Sequence, residues 1–491
     1  MLPKGKFGLS LSKTVLSYNG IFNGKCSPGV PKEKRRGTRF RETQQNRLQE
    51  VKMRTSVLAM VLAGGEGKRL APLTDQRSKP SVPFGGKYRI IDFVLSNFLN
   101  SGIDSIFVVT QFKSQSLVEH IINGWNVSSA HTKGRFIIPV PAQMQTEDKS
   151  WYVGTADAIY QNAHLIEDFS PDHLAIFGGD HIYRMDVSQM LSFHVEKEAI
   201  ATVAAIPVPI EEACQFGVIQ VNSSWQITGF QEKPKNPSPM PNDSTKALVS
   251  MGNYIFNAPC ALDLLREDHA NAASSHDFGK DIIPSLVPTG KLFAYNFYDN
   301  RIPGQDPNVK PYWRDVGTLK AYFEANMDLR ATKPQLDLYN EKWPIYNYHF
   351  SLPPAKFVHN EEVDKHGLTR IGKAVNSIVC DGCIVSGSTV TSSVLFNSVF
   401  VHSYATVHNS IILNEVDIGE HCRIRNAIID KHNVIPRGTT VGYDKEEDKK
   451  RYMVVELGKD EFGQDSWLTV IPKNRHSHSL DLPKSVETGK K

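Results

Sequence analysis

Three stretches, far apart in the chain, carry residues that could act on phosphates together. Gly64, Gly65 and Gly67 follow an apolar run and lead to Arg69 and Lys79; Asp180 ends Ile176-Phe-Gly-Gly-Asp; Asp315 stands in Tyr312-Trp-Arg-Asp-Val-Gly317. Glycine tolerates positive φ and lets backbone N–H groups come close to an anion, so the first stretch predicts a phosphate cradle flanked by two cations. An aspartate beside phosphates would repel them unless a divalent cation lay between, and two carboxylates, phosphate oxygens and water are the usual Mg2+ set. A plain strand-to-helix turn competes for the glycines, and a cap or turn role for each aspartate; their coexistence favours chemistry. The chain has no G-x-x-x-x-G-K-[ST], which excludes a P-loop, and Gly65-x-Gly67-x-x-Leu70 lacks the third glycine of the dinucleotide fingerprint. Further on, Glu232-Lys233-Pro234 offers an ammonium that could meet a sugar phosphate as a point charge, with a solvated turn as the alternative. Ser250-Met-Gly252 puts small residues at a strand mouth, where a sugar ring could approach the backbone.

Such residues need strands to present them. Short apolar runs at 57–63, 105–110, 173–177, 201–206, 216–221 and 250–256 read as strands. Amphipathic stretches at 93–101, 116–125, 155–166 and 187–197 read as helices between them. The alternation predicts a doubly wound α/β sheet, whose ligand crevice lies at the carboxyl ends of the strands, where the glycine turn and Asp180 fall.

The last third has another period. Ile378, Ile384 and Val390, then Leu395, Val401 and Val407, then Ile412, Ile418 and Ile424, then Ile429, Ile435 and Val441 each step by six, and each triplet follows the last by 17 residues. This predicts a parallel β-helix of hexapeptides, one inward aliphatic per side of a three-sided coil. Gly382, Gly387, Asn397, Asn409, Gly419 and Asn433 suit its corners.

Composition narrows the class. At 491 residues, with 40% hydrophobic content and a net charge of +4, the chain is ordinary globular material for two or three domains. No apolar run reaches the ~18 residues of a membrane span. Residues 1–52 hold twelve Lys/Arg against three Glu, so the body carries about −5 and has no nucleic-acid-binding character. That basic front reads as a non-functional extension upstream of Met53, with a transit peptide or a binding tail as alternatives. Six scattered cysteines fit a reducing, cytoplasmic setting, and Cys380-Asp-Gly-Cys383 has no second pair to complete a metal site.

Seven motifs, taken together, are specific in order and spacing. They are Leu62-Ala-Gly-Gly-Glu-Gly-Lys-Arg-Leu70, Ser78-Lys-Pro-Ser-Val-Pro-Phe-Gly-Gly-Lys-Tyr-Arg-Ile-Ile-Asp-Phe93, Trp151-Tyr-Val-Gly-Thr-Ala-Asp157, Gly179-Asp-His-Ile-Tyr183, Glu232-Lys-Pro234, Ser274-Ser-His-Asp-Phe-Gly-Lys-Asp281 and Tyr312-Trp-Arg-Asp-Val-Gly317. From about residue 56 to 445 the chain resembles bacterial glucose-1-phosphate adenylyltransferase (ADP-glucose pyrophosphorylase). The resemblance implies a Rossmann-like nucleotidyltransferase domain with a mostly parallel sheet, at 53–333. It then implies a linker at 334–366, a left-handed parallel β-helix at 367–445 and a tail at 446–491. ATP and α-D-glucose 1-phosphate would be the substrates, Mg2+ the cofactor, and a homotetramer under small anionic allosteric effectors the working form, feeding glycogen synthesis. Carried over by motif, Asp180, Arg69 and Lys79 would be catalytic, with Asp180 and Asp315 on the metal. Tyr152, Gly217, Glu232, Lys233 and Ser250 would hold glucose 1-phosphate; Gly64, Gly65, Gly67 and Gln111 the nucleotide; and Gln111 and Trp151 match positions linked to nucleotide and effector response. Arg77, Arg89 and Lys431 would meet effectors. Gln76 and Pro83 stand where enteric members carry Lys and His, which speaks against fructose 1,6-bisphosphate as activator and leaves another sugar phosphate or glycolytic anion. A non-catalytic regulatory subunit of the same fold would be expected to have lost catalytic positions, and these are present. A UTP-using relative remains an alternative; one with acetyltransferase activity would need a longer β-helix with a catalytic His.

Overall fold

The computed structural model describes residues 55–125, 134–143, 151–240, 243–348, 351–363, 369–459 and 463–474. The basic extension at 1–52 and the end of the expected tail lie outside these residues. The strands of three residues or more in the first half are β1 (Val57–Leu62), β2 (Ser105–Thr110), β3 (Phe136–Pro141), β4 (His173–Gly178), β5 (His181–Tyr183), β6 (Ala201–Pro209), β7 (Gly217–Val221), β8 (Ile227–Glu232), β9 (Lys246–Asn257), β10 (Leu292–Asn296) and β11 (Trp313–Asp315).

Nine of these form one sheet. β1 lies between β4 and β2, parallel to both, and β3 adds in parallel at the edge. Beyond β4 the antiparallel β9 intervenes, then β6 and β10, with the β7–β8 hairpin branching from β9. The apolar runs read as they do because both faces are covered. Alternate residues Ala59 and Val61 enter one core with Phe98 and Phe177, while Leu58 and Met60 enter the other with Ile159 and Ile176. The chain leaves β1 toward β2 on one side and returns to β4 on the other, so a crevice opens between their carboxyl ends.

The helices Ala258–Ala270 and Leu319–Asp328 and the strand β10 lie outside the expected runs, and two further elements differ from expectation for local reasons. The helix expected at 155–166 is two, Thr155–Tyr160 and Ala163–Phe169. Asn162 interrupts it: its side-chain amide donates to Ala158 O at 2.8 Å and to Tyr152 Oη at 2.9 Å, competing with the helical backbone. β3 went unrecognised because Pro139 and Pro141 forbid a central strand; at the sheet's edge they cost nothing.

The second half is a three-sided parallel prism, the β-helix that the hexapeptide period predicts. Val401, Val407, Ile412, Ile418, Ile424, Ile429, Ile435 and Val441 share its core. In the first coil the inward residues are Val379 and Val385, not Ile378 and Ile384, because Val379 pairs with Leu395 and Val385 with Val401. That coil is one residue shorter. The left-handed corner residues Asn376 and Ser392 are 16 apart, whereas Ser392, Asn409 and Asn426 follow at 17. Of the expected corner residues, Gly382, Gly387 and Asn409 take positive φ; elsewhere Ser398, Tyr404, Glu415, His421 and His432 do, so the corners expected at Asn397 and Asn433 are made by their neighbours Ser398 and His432, and the one expected at Gly419 by His421, two residues on.

The prism also reaches beyond the expected 367–445. Lys356–Val363 already pairs in parallel with Ile384–Ser386. At the far end the Lys445–Arg451 helix follows the last coil, its buried Asp448 accepting from Gly442 N at 2.9 Å and Thr469 Oγ1 at 2.8 Å. Asp465–Ile471 then adds a last parallel strand to one face, and Met453–Lys459 closes that face antiparallel. The period reads neither, because these segments leave the six-residue step. One prism face, through Val394, Phe396, Ile411, Leu413 and Ile428, packs with Leu70, Phe84, Phe93 and Tyr322 in a core shared with the catalytic half. No helix among the described residues is long and apolar enough to cross a membrane.

Candidate active site

The glycine turn and Asp180 meet because the strands before them are neighbours. Leu62 of β1 stands opposite Gly178 of β4, so both following turns emerge at one end of the sheet. Gly179 N–H donates to Leu62 O at 3.0 Å, and a Cβ at 179 would come within 2.8 Å of Ile91 Cδ1. Glycine there lets the turn that carries Asp180 lie against β1. Asp315 arrives by a separate ladder, β11 pairing antiparallel with β5 so that Asp315 faces His181.

Between the two carboxylates sits an ammonium. Lys79 Nζ donates to Asp180 Oδ2 at 3.0 Å and to Asp315 Oδ1 at 2.8 Å. Arg69 Nη2 approaches Asp315 Oδ2 at 3.7 Å, and His181 spans the pair, Nδ1 3.6 Å from Asp180 Oδ1 and Nε2 4.0 Å from Asp315 Oδ1. Burial opposes charge on both partners, yet the pairing wins. Despite its desolvation Lys79 is held above the ordinary lysine value by the two aspartates, and despite its own Asp180 is held well below the usual carboxylate range by His181 and Lys79.

The glycine turn has φ 65° at Gly67, and Thr74 Oγ1 donates to Gly67 O at 3.0 Å. It leads into a single 3-10 turn, Lys68–Leu70, and not into an α-helix, because Ala71 precedes Pro72 and adopts extended ψ 143°. The anion-binding potential here is therefore that of loop amides with Arg69 and Lys79, not of a helix terminus. A Cβ at Gly64 would stand 3.1 Å from Gln111 Cβ, which brings Gln111, just past β2, against the turn.

These groups open on a cavity of about 790 Å3, within the range of small-molecule sites. Gly64, Gly65, Gly67, Arg69, Lys79, Gln111, Tyr152, Asp180, Gly217, Glu232, Lys233 and Ser250 all line it. Of the residues expected for catalysis, sugar and nucleotide, Asp315 alone is not in the lining; it meets the site through Lys79 and Arg69. Trp151 is 56% exposed and also outside the lining. At the β7–β8 hairpin, Glu232 faces Gly217 across the ladder, and an added Cβ at Gly217 or at Gly279 would stand 2.9 Å from Glu232 Oε2. Lys233 has φ 47° and its Nζ lies 3.0 Å from Glu232 Oε1. Ser250 Oγ accepts from Gly252 N at 3.2 Å, and Gly252, with φ 71°, falls within the break in the β9 ladder to β6.

Sequence reasoning assigned no role to His181, Thr155, Asp277 or Gly279, all of which line the cavity. Asp277 accepts from Gly279 N at 3.0 Å, Lys280 N at 3.2 Å and Thr155 Oγ1 at 3.1 Å, fixing the 277–280 turn. Their signal was membership of the quoted motifs; no charge or glycine pattern singled them out.

Arg77, Arg89 and Lys431 lie elsewhere, where the catalytic half meets the prism. Arg77 is buried, donates to Leu73 O at 2.8 Å and pairs with Asp430. Arg89 Nη1 donates to Ser116 O at 2.5 Å. Lys431 is pulled down to about 7 by burial and by Arg89 and Arg77, with Asp430 opposing. A smaller cavity of about 280 Å3 beside them is lined by Gln76, Arg77, Asp430 and Lys473. The Cys380 and Cys383 thiols are pushed up by burial to about 12 and about 11, and among the described residues no group of three or more His, Cys, Asp or Glu is set to hold a metal by itself.

Comparison with known proteins identifies both halves of the chain. Residues 58–332 match the Nucleotidyl transferase family, and residues 353–459 match the family described as GlmU-like, C-terminal hexapeptide. A Thermus thermophilus protein named glucose-1-phosphate adenylyltransferase is 53% identical over 408 residues, covering 82% of this chain and 96% of its own. Glucose-1-phosphate adenylyltransferase 1 of Vibrio parahaemolyticus is 50% identical over 85% of this chain and 98% of its own. The Deinococcus radiodurans glucose-1-phosphate adenylyltransferase is 49% identical over 86% and 99%. The chain belongs to the glucose-1-phosphate adenylyltransferases of the nucleotidyl transferase family.

Proposed function

We propose that the chain converts ATP and α-D-glucose 1-phosphate into ADP-glucose and diphosphate, supplying ADP-glucose for glycogen biosynthesis. The observation that carries this reading is one cavity in which a glycine turn, Arg69, Lys79 and Asp180 converge with Glu232 and Lys233, Asp315 joining from behind through its contacts with Lys79 and Arg69. A phosphate oxygen of glucose 1-phosphate attacks the α-phosphorus of ATP in line, and the bond to the diphosphate leaving group breaks. The nucleophile is already an anion, so no general base is required. Both reactants are polyanions, so the work is alignment and neutralisation. Arg69 and Lys79 offset charge on the leaving diphosphate, Lys233 meets the sugar phosphate, and Glu232 with Ser250 orients the sugar. Gln111, packed against the turn, faces the nucleotide.

Asp180 and Asp315 fit Mg2+. Both reach one ammonium, so one cation could touch both, with phosphate oxygens and water completing its six ligands. When bound there it would neutralise charge at the attacked phosphate and the leaving group. Anionic effectors would dock at the interdomain cluster of Arg77, Arg89 and Lys431, away from the reacting groups. The working form would be a homotetramer in the cytoplasm, where the free thiols of the described cysteines persist.

A pyrophosphorolysis assay over a panel of nucleoside diphosphate glucoses tests the assignment. ADP-glucose should be cleaved fastest; preference for UDP-glucose would overturn it.

A further inference from the structure

We propose that Lys79 occupies the cation's place in the substrate-free enzyme and gives it up only when nucleotide phosphates draw it away, so that the divalent cation enters with the nucleotide and not before. The proposal rests on the reading of Asp180 and Asp315 as the metal ligands. The Lys79 side chain is only 7% exposed, and its single ammonium satisfies an oxygen of each carboxylate. Arg69 adds a second positive charge at 3.7 Å from Asp315. The pair's two negative charges are thus matched by two positive side chains, and a free cation gains no unopposed charge by arriving. It would also have to shed tightly held water to dislodge an ammonium already in contact.

The same two side chains line the nucleotide end of the cavity beside Gly64, Gly65 and Gly67. The backbone of Lys79 is held in a short turn, Lys79–Ser81, with Pro80 next in line, so any exchange of partners falls to its four-carbon stem. Triphosphate oxygens seated on the glycine turn attract both Lys79 and Arg69. As those turn toward phosphate, the carboxylates lose their counter-charges while phosphate oxygens supply the remaining ligands. Cation and nucleotide affinities are then coupled, each strengthening the other by the same factor.

The test titrates Mn2+ alone into the full chain without substrate, with free Mn2+ followed by electron paramagnetic resonance. Lys79→Met should bind Mn2+ about tenfold tighter or more than the parent, as expected when a unit charge in contact is removed. A Lys79→Met chain that binds no tighter overturns the proposal. Should Lys79→Met not fold by circular dichroism, Arg69→Met carries the argument, because the Arg69 side chain is 61% exposed. It should also tighten Mn2+ binding, by less, and unchanged affinity counts against the proposal. Asp180→Asn added to either variant should remove the gain. If the gain persists, the cation sits elsewhere and the reading of the carboxylate pair fails, whatever Lys79 does.

Discussion

Asp180→Asn replaces a carboxylate by an amide of the same shape and so isolates the charge. Asp180 Oδ2 lies 3.0 Å from Lys79 Nζ, so a cation held in that place sits about 3 to 4 Å from the carboxylate charge. At an effective dielectric of about 20, one unit pair at 4 Å is worth about 4 kcal/mol, so a divalent cation against one carboxylate is worth about 8 kcal/mol. Part of this is felt in the ground state, where the cation is already bound. The share that grows as charge builds on the leaving group, about 3 to 4 kcal/mol, corresponds to a fall in kcat of roughly 10^2 to 10^3. The fold should survive, because the Asn carbonyl still accepts from Lys79 and Asp315 keeps its own contact at 2.8 Å. Diphosphate release at saturating substrates, beside a circular dichroism melt of the same sample, measures both. A folded variant with kcat within about fivefold of the parent would refute the metal-charge role.

Lys233→Ala should raise the KM for glucose 1-phosphate about tenfold or more while leaving that for ATP nearly unchanged; equal effects on both would put Lys233 outside the sugar end. Gly217→Ala should raise the same KM, because the new methyl would stand 2.5 Å from Phe230 Cζ and 2.9 Å from Glu232 Oε2, and steady-state kinetics with each substrate varied would expose it. Ile424→Ala, in the prism core between Val407 and Val441, should cost about 2 to 5 kcal/mol in denaturant unfolding with turnover of the remaining folded enzyme intact. Lys431, held near 7 against an ordinary value of 10.5, is largely neutral above about pH 7 in the folded chain but protonated when unfolded. Its contribution to stability therefore rises with pH over that window, and an anion bound beside it should take up a proton and bind more weakly as pH rises. Calorimetric titration of an anionic effector in buffers of different ionisation enthalpy would detect the uptake; none would exclude Lys431 from the contact.

Fold class and the cavity's main groups were readable because each rests on a local signature. Fully apolar runs such as 57–63 announce buried parallel strands, and residues just past them must lie at the strand ends. The second carboxylate was not local. The motif at 312–317 offers Asp315 as a second carboxylate, but nothing near it says that it faces His181; the short β5–β11 ladder makes that contact. In the prism the register of the first coil is ambiguous in principle, since Ile378-Val379 and Ile384-Val385 offer two aliphatic residues each. The corners decide it, by a shorter step from Asn376 to Ser392. His181 and Asp277 escaped notice because a histidine beside an aspartate, or an aspartate opening a helical turn, is commonplace until the tertiary fold supplies neighbours.

A stack of parallel coils has no inherent last member: each face ends in unpaired amides and carbonyls that could accept the next molecule and propagate a fibre. Here one face ends instead in a chain running the other way, Met453–Lys459 against Asp465–Ile471. Reversal of direction breaks the repeat that a docking coil would have to continue, so on that face this closing hairpin works as a terminator of polymerisation. Deleting it would leave Ala427–Ile429 as a sticky parallel rim, and self-association end to end is the fault to look for in such a truncation.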